Sequence, residues 1–258
     1  MPIQETDVTL AIIEAFQKKL RSHVSVDVAI VGAGPSGLAA AHFLRKESDL
    51  RVAIFERKLS PGGGLWGGGM GYNVAVFEKA AREITEELGI RAESWREDYL
   101  VGDSVQAAAA LVCSAIDSGV PIFNLHSVED VTVREHAVTG VVIQSTGIQM
   151  SGLHVDPLCI AARCVVDATG HEAAVVNIAH RKGLAIETAS GHVVGESSMW
   201  AEKGEQQVVQ MAGPVYPGLY ACGMAACAVS GGQRMGAIFG GMLESAKRCA
   251  GLVIENLA

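Results

Sequence analysis

The stretch "VSVDVAIVGAGPSGLAAAHFLRKES", residues 24–48, decides the fold. Val24 to Val31 is an apolar run of strand length, Gly32-Ala33-Gly34-Pro35-Ser36-Gly37 is a glycine turn, and the pattern predicts a helix from about Ser36 to Lys46. A second strand, "RVAIFE" (51–56), follows and ends in Glu56, 24 residues beyond Gly32. This order makes a βαβ unit and gives the G-x-G-x-x-G pattern, weak by itself, the setting of a dinucleotide-binding turn. Glycine lets the backbone approach a pyrophosphate closely, and the helix start supplies free N–H groups and partial positive charge. Glu56 is placed to accept both hydroxyls of a ribose and disfavours a 2′-phosphate, so NAD or FAD fits better than NADP.

Composition narrows the partners. At 258 residues and 26.9 kDa the chain can bury a full core, and it reads as one dinucleotide-binding domain over 1–258. Its 20 basic and 28 acidic residues give a net charge of -8, with no Lys/Arg cluster to track a phosphate backbone, so nucleic acid is not an expected partner. Hydrophobic residues make up 49%, yet no apolar stretch reaches the roughly 18 residues of a membrane span. The start "MPIQETDVTL" lacks the features of a signal peptide, and the expectation is a cytoplasmic protein without a membrane partner. Cys113, Cys159, Cys164, Cys222, Cys227 and Cys249 form no C-x-x-C pair and read as buried thiols rather than a disulfide frame or a zinc knuckle.

Leu10, Ile13, Phe16 and Leu20 predict an amphipathic N-terminal helix over about 7–21, with Thr6 or Asp7 as its cap. A glycine-rich loop (60–72) holds seven of the 30 glycines. The segments 76–90 and 103–119 read as helices, and strands over about 120–145 suggest a small antiparallel insertion. "RCVVDAT" (163–169) and "GLYACG" (218–223) return to the parallel sheet, and 232–257 reads as one long closing helix. Arg234 would open that helix among small residues, its fork free to hold a carboxylate in two places.

The segment "GLHVDPLCIAARCVVDATGHEA" (152–173) puts His154, Asp156 and His171 at the two ends of one buried run. Taken alone, Asp156 could make a turn and His171 cap the next helix. Pro157 biases Asp156 toward extended backbone, which would point residues 154 and 156 to one side. His171 lies just past the carboxyl end of the strand, where ligands gather in such sheets.

"VVDATG" (165–170) and "GLYACGM" (218–224) resemble the second and third signatures of glutathione-reductase-type flavoproteins. That resemblance implies an α/β, FAD/NAD(P)-binding, Rossmann-like fold with a central parallel sheet. Those flavoproteins usually close the third signature with Gly-Asp. Here the pair is Gly223-Met224, which argues against a flavin. The combination of "VGAGPSGLAAA", "FERKLSPGGGLWGGG", "HVDP", "ATGHEA" and "GQRMGAIFGGM" resembles the thiamine thiazole synthase family more narrowly. The family keeps the flavoprotein-like fold but consumes NAD as a substrate. It joins the ADP-ribose part to glycine and sulfur, releases nicotinamide and yields an adenylated thiazole carboxylate.

In eukaryotic members the sulfur comes from a cysteine of the protein. His154 stands at the matching position, and Cys159, five residues on, does not. The chain therefore resembles the branch that takes free sulfide. The resemblance implies Asp156 and His171 as ligands to Fe(II), the aspartate coming from a neighbouring subunit of a homo-octamer, and His154 beside them as acid/base group. It also implies Ser36 at the pyrophosphate, Glu56 and Arg57 at the adenosine ribose, Gly64 passing against the nucleotide, Val128 at the adenine edge, Met224 facing the same ligand, and Arg234 on the glycine carboxylate. Three alternatives stay open: a flavin oxidoreductase of the same fold, a non-catalytic nucleotide or metal binder, and, with no phosphate-binding lysine pattern behind it, a sugar-phosphate isomerase.

Overall fold

A computed structural model describes residues 2–258. Helix α1 (Glu5–Arg21) leads into β1 (Ser25–Val31), α2 (Pro35–Glu47) and β2 (Val52–Glu56), and β1 and β2 pair in parallel as the glycine turn predicts. α1 begins ahead of the expected residue 7. Gln4 takes the capping position without a side-chain bond, which corrects the assignment to Thr6 or Asp7. Glu5 and Asp7 instead sit in the first turn, where carboxylates favour the positive helix end.

Next come β3 (Val74–Glu78), α3 (Arg82–Glu87), β4 (Ala92–Trp95), β5 (Tyr99–Asp103) and α4 (Ser104–Asp117). The helix expected over 76–90 thus begins as strand, and only Arg82–Glu87 of it is α-helix. Ala75 and Phe77 are buried and alternate with outward-facing neighbours, and this period of two places β3 antiparallel to β5, which also pairs with β4. α4 is capped by the Asp103 side chain, which accepts the Gln106 N–H at 2.8 Å.

The chain continues through β6 (Ile122–Asn124), β7 (His126–Arg134), β8 (Ala137–Ser145), α5 (Thr146–Ser151) and β9 (Leu158–Asp167). β6 pairs in parallel with β2, so the segment expected as an insertion over 120–145 gives its first strand to the main sheet. The antiparallel part is the β7–β8 hairpin, which docks β8 against the start of β9. Last come α6 (Ala174–Arg181), β10 (Ser197–Met199), α7 (Ala201–Gln210), β11 (Gly213–Tyr216), β12 (Leu219–Ala221), α8 (Met224–Ser230), β13 (Gln233–Arg234) and α9 (Gly240–Leu257). The closing helix starts at Gly240, not near 232. A buried carboxylate from α7, Glu205, accepts the Gly241 N–H at 2.6 Å and fixes the first turn there, while Gly236 at φ 79 keeps the preceding segment out of helix.

The sheet is Rossmann-like, with β12, β9, β1, β2 and β6 parallel and β11 antiparallel at one edge. Its strands are apolar on both sides because helices or the hairpin cover both faces. Val28, Ile30, Val52 and Ile54 pack on one cluster with Phe43, Leu44 and Leu243. Ala29, Val31, Ala53 and Phe55 pack on the other with Phe123, Val141 and Val176. No helix among the described residues is long and apolar enough to cross a membrane. The cysteines divide: Cys164, Cys222, Cys227 and Cys249 are buried as expected, whereas Cys113 and Cys159 are exposed.

The register levels the carboxyl ends of the strands. Val31 of β1 lies beside Phe55 of β2 and Asp167 of β9, and Asp167 lies beside Ala221 of β12. The glycine turn, Glu56, the loop after Asp167 and Gly223 therefore meet at one edge of the sheet.

Candidate functional site

Glycines at this edge fall into two kinds. Gly32 has φ +100, and a Cβ there would lie 2.5 Å from the Ala168 carbonyl oxygen, while a Cβ on Gly37 would lie 2.0 Å from the Gly32 oxygen. These two are glycine because backbone meets backbone. Gly34 and Gly64 have no such reason: neither has a positive φ, and a Cβ on either would meet nothing within 4 Å. Both face a cavity of about 1170 Å³, large enough for a dinucleotide. The space a side chain would fill is left free beside the first turn of α2, whose N-cap Gly34 brings no side chain. The residues present thus fit a pyrophosphate.

Ser36 lies in that first turn and is packed closely enough that a Cβ on Gly223 would meet its Oγ at 2.3 Å. Glu56 is buried, with Oε2 accepting the Ala33 N–H at 2.8 Å and Oε1 the Lys58 N–H at 2.7 Å. Each oxygen keeps a lone pair for a ribose hydroxyl. Arg57 is engaged: its fork holds Glu172 through two bonds of 2.9 Å, which lowers the Glu172 carboxyl and raises the Arg57 guanidinium from their ordinary values. Val128 is half-buried on the cavity wall at a break in the ladder, where the β7–β8 register skips past Glu129. Met224 is buried behind the same wall, where an acid would stand in a flavin site.

His171 and Arg234 line the same cavity. His171 is held in a 3-10 turn over Gly170–Glu172, anchored by fully buried Asp167. The Asp167 carboxylate accepts the Thr169 N–H and hydroxyl at 2.9 and 2.6 Å and the Val175 and Val176 N–H groups at 2.9 Å each. Burial raises its pKa from the ordinary value, and the hydrogen bonds work the other way. Arg234 does not open a helix, in correction of the expectation. It lies in β13, paired in parallel with β10. Between the two stands Glu196, with Oε1 at 2.6 Å from His171 Nδ1 and Oε2 at 3.5 Å from Arg234 Nε.

The cavity thus brings together Ser36, Glu56, Arg57, Gly64, Val128, Met224, His171 and Arg234. His154 and Asp156 are not among its lining residues. They sit on an exposed loop before β9, while His171 follows the far end of that strand. The ten residues of β9 lie between them along the chain, a contour of about 30 Å at 3.3 Å per residue. Among the described residues, no group of three or more His, Cys, Asp or Glu is arranged to hold a metal. Reading the sequence missed Asp167, Glu172 and Glu196. The first two lie inside quoted motifs, "VVDATG" and "TGHEA", and could have been found there, whereas no local signal marks Glu196.

Known proteins of the same architecture cover the whole chain. The thiamine thiazole synthase of Methanothermobacter thermautotrophicus is 47% identical over 258 residues, covering 100% of both chains. That of Pyrococcus horikoshii is 46% identical over 255 residues and covers 99% of each. The crystal structure of Thermovibrio ammonificans THI4 superposes with a TM-score of 0.95 at 43% identity, covering 100% of this chain and 99% of that one. The Thi4 family model matches residues 9–239, and the chain belongs to that family.

Proposed function

We propose that the protein is a thiamine thiazole synthase that uses NAD as ADP-ribose donor and joins it to glycine and sulfide with Fe(II), releasing nicotinamide. The observation that carries this reading is the pair Gly34 and Gly64, whose missing side chains leave room that the protein itself does not use, on a cavity that His171 and Arg234 also line. The names of its full-length relatives support the same reaction class.

In this reading Glu56 holds the adenosine ribose, Ser36 and the α2 amides hold the pyrophosphate, and Val128 meets the adenine. The nicotinamide ribose then reaches the His171 end. Water replaces nicotinamide on the sugar carbon, and the ADP-ribose so formed opens and isomerises to a ketone; the glycine amine condenses with it, releasing water, before sulfide adds and the ring closes with further loss of water. The closest approach of Arg234 to Glu196 is through Nε, at 3.5 Å, and Nη1 and Nη2 are the donors proposed for the glycine carboxylate. Fe(II) suits an imidazole-plus-carboxylate donor set and would supply a Lewis-acidic centre with open positions for sulfide.

His171 Nε2 is the donor available on the cavity side. Asp156 would have to arrive from a second copy, and exposed Leu153 and Val155 on its loop, with Leu158 at the start of β9, are apolar side chains that such a copy would bury. A homo-octamer with shared centres satisfies this. His154 comes in on the same loop, and its ring nitrogen is the proposed acceptor for the proton on the sugar carbon beside the carbonyl. The sulfur is external in this reading: burial pushes the Cys227 thiol up to about 12 and the Cys164 thiol higher still, so neither offers a thiolate.

The test is anaerobic incubation with NAD, glycine, sulfide and Fe(II), following nicotinamide by chromatography and the adenylated thiazole by mass. Nicotinamide release that needs all four, over several turnovers, is expected. A tightly bound flavin, or no release under any combination, would overturn the reading.

A further inference from the structure

Glu196 belongs to none of the motifs that define the site, yet its carboxylate touches both residues at the reacting end. Its side chain is 13% exposed, with Oε1 at 2.6 Å from His171 Nδ1 and Oε2 at 3.5 Å from Arg234 Nε. The backbone on either side is pinned. The Gly195 N–H donates to the Ala228 carbonyl at 2.9 Å and the Ser197 N–H to the Gly232 carbonyl at 2.8 Å, and the Ser197 hydroxyl donates to the Gly231 carbonyl at 2.9 Å. Just beyond, Met199 of β10 pairs with Arg234 of β13, and the Trp200 N–H donates to the Arg234 carbonyl at 3.0 Å. The carboxylate is therefore fixed to the segment that carries Arg234 and reaches across to a histidine on a different loop.

A carboxylate can only accept, so Nδ1 carries the proton that bonds to Glu196. In the neutral ring this leaves the lone pair on Nε2. We propose that Glu196 is a positioning residue for both partners: it sets the His171 tautomer and aim for metal binding, and it holds Arg234 by Nε so that the remaining guanidinium donors face the cavity. One side chain thereby couples the metal ligand to the carboxylate-binding arginine. The inference rests on the functional reading above. A purely structural ion pair would serve the fold alone and would leave metal affinity and glycine recognition unmoved.

The experiment uses the full-length chain, with Co(II) as an anaerobic spectroscopic probe of the metal site. Glu196→Gln keeps the size and removes the charge, and Glu196→Asp keeps the charge but is too short to serve both partners at once. In Glu196→Gln we expect Co(II) affinity to fall about 10- to 100-fold, the usual cost of losing the carboxylate behind a ligating imidazole. The KM for glycine should rise more than kcat falls, and NAD affinity should stay within twofold of wild type. Glu196→Asp should recover one of the two effects, not both. Wild-type Co(II) affinity and glycine KM in Glu196→Gln would overturn the inference alone, as would equal loss of NAD binding, which would mark a folding role. A wild-type chain that takes up no Co(II) would overturn the functional reading together with it.

Discussion

Gly32 and Gly34 stand two residues apart in one motif, and the structure assigns them opposite reasons for being glycine, so replacing each by alanine separates fold from ligand. In Gly32→Ala the backbone would have to hold φ +100 with a Cβ, a strain of about 1–3 kcal/mol. It would also have to relieve a contact of 2.5 Å with the Ala168 oxygen, an overpacking of similar size at about 1–3 kcal/mol. The sum, about 2–6 kcal/mol, lowers the melting temperature by roughly 5–15 °C for a chain of this length. Gly34 has φ -77 and ψ -178, which alanine adopts freely, and its Cβ would touch nothing. The smaller freedom of the unfolded chain favours Gly34→Ala by about 0.4–1 kcal/mol, and the poorer N-cap opposes it by a similar amount, so stability should stay within about 1 kcal/mol of wild type. Its methyl would project into the space left for pyrophosphate. An overpacking of about 1–3 kcal/mol there weakens NAD binding roughly 5- to 150-fold. Thermal unfolding without ligand and calorimetric titration with NAD, on both variants, read the two effects independently. The reasoning is refuted if Gly34→Ala melts as early as Gly32→Ala, or if it binds NAD as tightly as wild type.

Asp167→Asn keeps the shape but offers one amide oxygen, good for two acceptances, where the carboxylate takes four hydrogen bonds. Two or more donors lose their partner at about 1–3 kcal/mol each, so urea unfolding should show a loss of about 2–6 kcal/mol, and a loss under about 1 kcal/mol contradicts the anchoring role. Burial lifts the Glu205 carboxyl from 4.5 to about 7. Because the folded pKa is the higher one, its stabilising effect is complete below about pH 4.5 and is lost as pH rises through 7; relative to Glu205→Gln, wild type should lose about 3 kcal/mol between pH 4.5 and 8, and a pH-independent difference contradicts this. His154→Ala and His154→Cys, assayed for product from NAD, glycine and sulfide, should both lose multiple turnover, and unchanged turnover by both would remove the imidazole from the mechanism.

What the sequence made legible follows from how far each feature reaches along the chain. The βαβ unit was readable because its causes are local: an apolar run buried on both faces, a glycine turn and a helix within residues 24–56. The strand Val74–Glu78 was lost to a helix reading because the helical composition of "KAAREITEELG" outweighs a period of two carried by only a few residues, and the deciding partner, β5, lies beyond α3 and β4. The start of α9 was misplaced for the same reason, since the Glu205 carboxylate that ends the irregular segment comes from another helix. Glu196 is the extreme case. It acts on a histidine 25 residues away and on an arginine further still, and nothing in its surroundings, "VVGESSM", sets it apart from a surface acid. Motifs mark residues that meet a ligand. The side chains that aim those residues are fixed by tertiary closure and leave no pattern of their own. The same distance logic bears on the chemistry proposed here. His171 stands at one end of β9 and Asp156 at the other, with about 30 Å of strand between them. In the proposed reading a second chain completes the centre, so assembly is a step of the active-site chemistry, and activity should fall on dilution below the dissociation constant of the assembly even while each chain stays folded.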